Sequence, residues 1–155
     1  MGVPAIASYT IPDEIPPSRV SWAPDASRVA LLVHDMQAYF LKAFDQDAAP
    51  IDAVTRNISQ LLSHCRALGI PVFYTAQRGN QLRCDRGLQA EFWGPGMSAI
   101  HEHEHIIPAL QPVDGDIQLH KHRYSAFQRS NFLTLLQARQ RDQLLVCGVY
   151  AQIGC

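Results

Sequence analysis

One unbroken apolar stretch constrains this chain more than any other: Val29-Ala30-Leu31-Leu32-Val33, which stops abruptly at His34-Asp35-Met36-Gln37. A short run of Val and Leu with polar residues on both sides suits a strand enclosed on both faces, as in the middle of a parallel sheet. A carboxylate directly after such a strand falls at the C-terminal rim, where open α/β sheets bind their ligands. By itself Asp35 reads more readily as a solvated loop residue or a helix N-cap. The remaining elements have to decide.

After Pro50, apolar residues recur at Ile51, Val54, Ile58, Leu61, Leu62, Cys65 and Leu68. Steps of three and four mark an amphipathic helix, and Gly69 is placed to end it. Pro71 to Thr75 reads as a second strand, which makes a β-α-β unit with parallel strands. Residues 76–116 show little periodicity and hold several Gly and Pro; Gly87 to Phe92 can supply a helical turn or two. A connection of this length is usually functional. Ile117 to Leu119 reads as a third strand ending at His120-Lys121. Ser130 can cap a helix with Phe132, Leu133 and Leu136 on its core face. Gln143 to Tyr150 reads as a fourth strand.

The expected fold is therefore α/β, a Rossmann-like three-layer arrangement around a central parallel sheet. Residues 1–26, with Pro4, Pro12, Pro16, Pro17 and Pro24, cannot be regular helix or central strand. They read as an extended arm over the domain, anchored by Tyr9 and Trp22. The sequence stops at Gln152-Ile153-Gly154-Cys155, just as a βα turn begins, so the fold is expected to be truncated after its fourth strand, as part of a longer domain.

The 155 residues are 47% hydrophobic and 17% charged with net charge −1, which suits a globular chain and argues against nucleic-acid or membrane-surface partners. No apolar run approaches the ~18 residues of a membrane span, and the start lacks the pattern of a secretory signal. Cys65, Cys84, Cys147 and Cys155 are far apart without C-x-x-C spacing. Cys65 and Cys147 read as buried thiols, and a reducing cytoplasm is expected.

If the strands are parallel, one rim gathers Asp35, Gln77, Lys121 and the Gly154-Cys155 pair. A carboxylate beside a lysine in a partly dry cleft is either a structural ion pair or an acid/base pair, and spacing leaves both open. His101-Glu102-His103-Glu104-His105 alternates in a way that invites metal binding, but reads better as a solvated surface near a helix start.

His34-Asp35-Met36-Gln37-x-Tyr39-Phe40 resembles the first motif of the isochorismatase family. Tyr74-Thr75-Ala76-Gln77, Phe92-Trp93-Gly94-Pro95-Gly96-Met97, Lys121-x-Arg123-Tyr124-Ser125-Ala126-Phe127 and Gly148-Val149-Tyr150-Ala151-x-Ile153-Gly154-Cys155 follow in that family's order. The likeness covers residues 1–155 as a single hydrolase domain. It implies Asp35 as general acid and Lys121 as its electrostatic partner and a substrate contact. It implies Gln77, Arg86, Tyr150 and the backbone of Gly154 as substrate-binding, with Phe40 and Trp93 as pocket walls. Related cysteine hydrolases carry their nucleophile where Gly154 stands, so the resemblance implies chemistry without a covalent intermediate, without cofactor and without metal. Two positions depart from the family pattern: Gln152 where His is usual, and His122 where Trp is usual.

The chemistry implied is cleavage of a vinyl ether. Protonation of the terminal methylene carbon of isochorismate gives an oxocarbenium ion, water adds, and the hemiketal collapses to pyruvate and 2,3-dihydro-2,3-dihydroxybenzoate. The step needs a carboxylic acid, which burial beside Phe40 and the apolar strand favours over the ion. The expected role is isochorismate hydrolysis in catecholate siderophore synthesis, by a homo-oligomer, best read as a dimer. Two alternatives stand beside it: hydrolysis of 2-amino-2-deoxyisochorismate on a phenazine route, and an inactive fragment that keeps only a docking surface.

Overall fold

A computed structural model describes residues 3–45 and 48–155. Met1 and Gly2, the first residues of the arm, lie outside that range. Four strands, β1 (Val29–His34), β2 (Val72–Gln77), β3 (Ile117–Lys121) and β4 (Gln143–Gly148), form a parallel sheet in the order β3-β2-β1-β4. Six short or medium helices accompany it: α1 (Ala38–Leu41), α2 (Ile51–Ala67), α3 (Arg83–Arg86), α4 (Gln89–Trp93), α5 (His101–Glu104) and α6 (Phe132–Ala138). A 3-10 turn spans Pro108–Leu110.

The alternation of side chains along β1 creates the three layers. Val29, Leu31 and Val33 join Ile51, Ile58, Leu62 and Cys65 of α2 in one core. Ala30 and Leu32 join Phe73, Leu119, Phe132 and Leu136 in a second core under α6. All six residues of β1 are buried, as the continuous apolar run requires. Gly69, at φ +66°, ends α2: its N–H donates to the Arg66 carbonyl and the Ile70 N–H reaches back to Cys65. This satisfies carbonyls that the last turn leaves open.

Several expectations need correction. Tyr9 and Trp22 do not anchor the arm, being 54% and 87% exposed. Ile6 does, packing on the core while its N–H donates to Ala43. An extended segment has no side-chain period from which such an anchor can be read. Leu61 and Leu68 on α2 and Leu133 on α6 are exposed, because each helix meets the sheet along a narrower stripe than its apolar residues span. Cys147 is only half-buried, on the outer strand. Asn131 rather than Ser130 is the N-cap of α6, although the Ser130 hydroxyl still accepts from the Phe132 N–H at 3.2 Å. β2 runs two residues further than expected, to Gln77, β3 ends at Lys121, and β4 stops at Gly148 before Tyr150.

These strand ends fix the rim. His34 lies opposite Thr75 and Gly148, and Gln77 lies opposite Lys121. The strand ends that carry polar residues are thereby brought side by side.

Candidate active site

Directly after β1 the backbone turns sharply, with Asp35 at φ +51°. Asp tolerates this left-handed conformation better than most residues. The Asp35 N–H donates to the carbonyl of Thr75 at 3.2 Å, and the Thr75 hydroxyl donates to Asp35 Oδ1 at 2.8 Å. The second carboxylate oxygen lies 2.7 Å from Lys121 Nζ, with the lysine side chain 1% exposed. Lys121 also donates to the carbonyls of Arg123 at 2.8 Å and Tyr124 at 3.2 Å. An ammonium has three N–H groups. All three are directed at protein oxygens, those of Asp35, Arg123 and Tyr124.

The Asp35–Lys121 pair opens on a partly enclosed cleft. Gln77, Arg86, Trp93, Tyr150, Gly154 and Phe40 line it, so the structure brings every expected site residue to one place. It adds Tyr39, Gln89, Met97 and Tyr124, whose positions on or beside the short helices give no periodic signal.

Arg86 closes α3 and is 6% exposed. Its Nε donates to the Gly94 carbonyl at 3.1 Å, and no acidic side chain among the described residues faces it as an ion pair. Desolvation depresses its pKa from the ordinary guanidinium range. Room for it depends on Gly96, at φ +81°, where a Cβ would lie 2.5 Å from Arg86 Nη1. Arg123 holds α3 in place by donating to the carbonyls of Asp85 at 2.9 Å and Cys84 at 3.2 Å.

Trp93 Nε1 donates to the Tyr124 hydroxyl at 2.9 Å, joining two walls of the cleft. Tyr150 donates its hydroxyl to the Phe40 carbonyl and stacks on Phe44 at 5.7 Å. Burial pushes its phenol well above the ordinary tyrosine range, so it stays neutral.

Gln37, fully buried, ties the loops behind the cleft together. Its amide oxygen accepts from the Gln77 N–H at 2.7 Å, while its amide nitrogen donates to the carbonyls of Gln77 at 2.8 Å and Glu104 at 2.7 Å. Glu104 in turn takes the Gly79 N–H at 2.6 Å. The polar stretch at 101–105 therefore contributes a structural latch that its alternating sequence did not disclose. Among the described residues no group of His, Cys, Asp and Glu could hold a metal ion. Burial, reinforced by the Asp35 charge, pushes the Cys155 thiol up to about 11. It is therefore a poor nucleophile near neutrality. Of the two departures, Gln152 is exposed and His122 has a buried Nδ1 without a partner.

Known proteins resemble this chain. The isochorismatase domain model matches residues 29–155. The chain is 48% identical over its whole length to an isochorismatase from Bacillus subtilis and spans 50% of that protein. It is 40% identical, again over its whole length, to enterobactin synthase component B from Escherichia coli, spanning 55% of it. The phenazine biosynthesis protein PhzD from Pseudomonas fluorescens is 43% identical, with 99% of this chain and 74% of that protein aligned. The chain thus spans about half the length of the first two relatives. Among solved structures, a cysteine hydrolase from Pseudomonas syringae superposes with a TM-score of 0.76 at 24% identity, covering 91% of this chain and 68% of that one, which establishes the shared fold.

Proposed function

The chain belongs to the isochorismatase family, and from that premise we propose that it hydrolyses the enolpyruvyl ether of isochorismate to pyruvate and 2,3-dihydro-2,3-dihydroxybenzoate. One observation carries the reading: the Asp35–Lys121 pair shares a cleft with Arg86, a buried guanidinium facing no acidic side chain among the described residues. An unpaired buried cation calls for an anionic ligand, and a guanidinium matches a carboxylate by bidentate pairing.

Asp35, ion-paired with Lys121 at rest, acts once protonated and gives its proton to the terminal methylene carbon. The Lys121 ammonium and Thr75 hydroxyl already face its two oxygens, and so stabilise the carboxylate as it forms. Water adds to the oxocarbenium carbon and returns one proton to Asp35. The hemiketal then collapses, its hydroxyl proton passing to the departing alkoxide, so that one water is consumed and the acid is regenerated. Arg86 holds a substrate carboxylate in place of Lys121, whose donors are taken. Gln77 and the Gly154 backbone border the substrate, and Phe40, Trp93 and Tyr150 wall it off from water.

A role in siderophore synthesis follows from the enterobactin relative. The phenazine relative favours 2-amino-2-deoxyisochorismate as the second candidate substrate. A dimer and a cytoplasmic location complete the reading; among the described residues no helix is long and apolar enough to cross a membrane. The test is to offer the purified protein each substrate and follow pyruvate. Preferential release from isochorismate is expected. Release from neither compound overturns the reading and leaves a docking role.

A further inference from the structure

The chemistry above gives His34 no task, although its ring is 2% exposed and sits against the reacting pair. Its Nδ1 lies 3.0 Å from the Val149 carbonyl. A carbonyl only accepts, so Nδ1 carries the hydrogen. Nε2 lies 3.4 Å from the Tyr124 carbonyl, the same oxygen that accepts from Lys121. Asp35 Oδ2 is 3.7 Å from Nδ1. The ring is thus wedged between the end of β1 and the segments that follow β3 and β4.

The edge of the ring between its two nitrogens faces Gly154. A Cβ on that residue would stand 2.2 Å from His34 Cε1 and 3.0 Å from each ring nitrogen. The ring is buried and held through Nδ1 by the Val149 carbonyl, with the Tyr124 carbonyl packed against its other nitrogen. No side chain at position 154 can coexist with His34 as it stands.

We propose that His34 is a positioning residue: its imidazole sets the Asp35–Lys121 pair between the ends of three strands, and position 154 is glycine because that ring fills the space a side chain would need. The role rests on the isochorismatase reading; the steric pairing does not. With the space filled, position 154 presents only backbone to the cleft, and the rim offers no side-chain nucleophile there.

His34→Ala is expected to lower kcat about 10- to 100-fold with KM within about twofold, as displacement of a reacting group does. His34→Asn, whose amide can donate to Val149 in place of Nδ1, should regain most of the loss. An active parent whose His34→Ala variant keeps full kcat, or changes only in KM, overturns the positioning role, as does an Asn variant no better than Ala. Separately, Gly154→Ala should lower the melting temperature by about 5 °C or more, and adding His34→Ala should remove most of that loss. Additive losses overturn the pairing. The melting cycle needs no substrate. A parent inactive on both substrates therefore fails the activity reading and the positioning role, while the pairing is still decided.

Discussion

Lys121 Nζ lies 2.7 Å from Asp35 Oδ2, and its other two N–H groups point at the carbonyls of Arg123 and Tyr124. This buried contact is both a structural tie between β1 and β3 and the electrostatic setting of the proposed acid. Substitutions can separate the two roles. Asp35→Asn leaves the ammonium without its counter-charge and should cost about 3–5 kcal/mol of stability. It should also abolish pyruvate release. Adding Lys121→Met should recover much of the stability without the activity. Urea midpoints and pyruvate assays on the same samples check both; an Asp35→Asn protein working at full rate would exclude the acid role.

Arg86 makes a contrasting case. Its guanidinium is buried beside Gly96 without an acidic partner among the described residues, so its removal relieves desolvation rather than exposing a widowed charge. Arg86→Gln is expected to leave stability unchanged or slightly higher, while kcat/KM falls about 100-fold, the scale of losing a charge-assisted carboxylate contact. Arg86→Lys should not restore it, because a point charge cannot reproduce the planar fork. Steady-state kinetics alongside thermal melts provide the check.

Gln37 supplies no chemistry, yet its amide engages both backbone groups of Gln77 and the carbonyl of Glu104. Gln37→Ala should destabilise the protein by roughly 3 kcal/mol, since several buried polar groups lose their partners together. Gln37→Glu should be worse, because a carboxylate oxygen would replace the donor that faces two carbonyls. Both effects are measurable as shifts in the denaturant midpoint.

Alkaline pH should expose another buried group. Burial pushes the Tyr74 phenol from 10.0 to about 12, although Arg66 beside it pulls the other way. A folded-state pKa above the unfolded one stabilises the fold fully below about pH 10, and that stability is lost as the pH rises toward 12. The contribution is about 2–3 kcal/mol. Tyr74→Phe should flatten this part of the curve, as seen in urea midpoints measured across the alkaline range.

The central strand and its aspartate were legible because burial on both faces forces an uninterrupted apolar run, and Val29 to Val33 has one. The spacing of Ile58, Leu62 and Cys65 likewise marked the inward face of α2, and Gly69 its end. Asp35, Gln77 and Lys121 could be placed on one rim once the strands were read as parallel. The resemblance paired Lys121 with Asp35, but the carbonyls of Arg123 and Tyr124 that take its other two donors left no signal. The Gln37–Glu104 latch was equally hidden, because a side chain bonding to backbone many residues away leaves no local pattern. The arm misled for a related reason: large aromatic residues look like anchors, yet Ile6 is held because its backbone reaches Ala43.

The strand order has a consequence in time as well as space. β1 is flanked on both sides, while β4 pairs only with β1 among the described residues, and Val146 on it is 44% exposed. Backbone amides of an enclosed strand exchange with solvent mainly through large openings, whereas a flanking strand frays through smaller ones. Amide hydrogen exchange is therefore expected to be slower along β1, which leads into Asp35, than along β4, which leads toward Gly154.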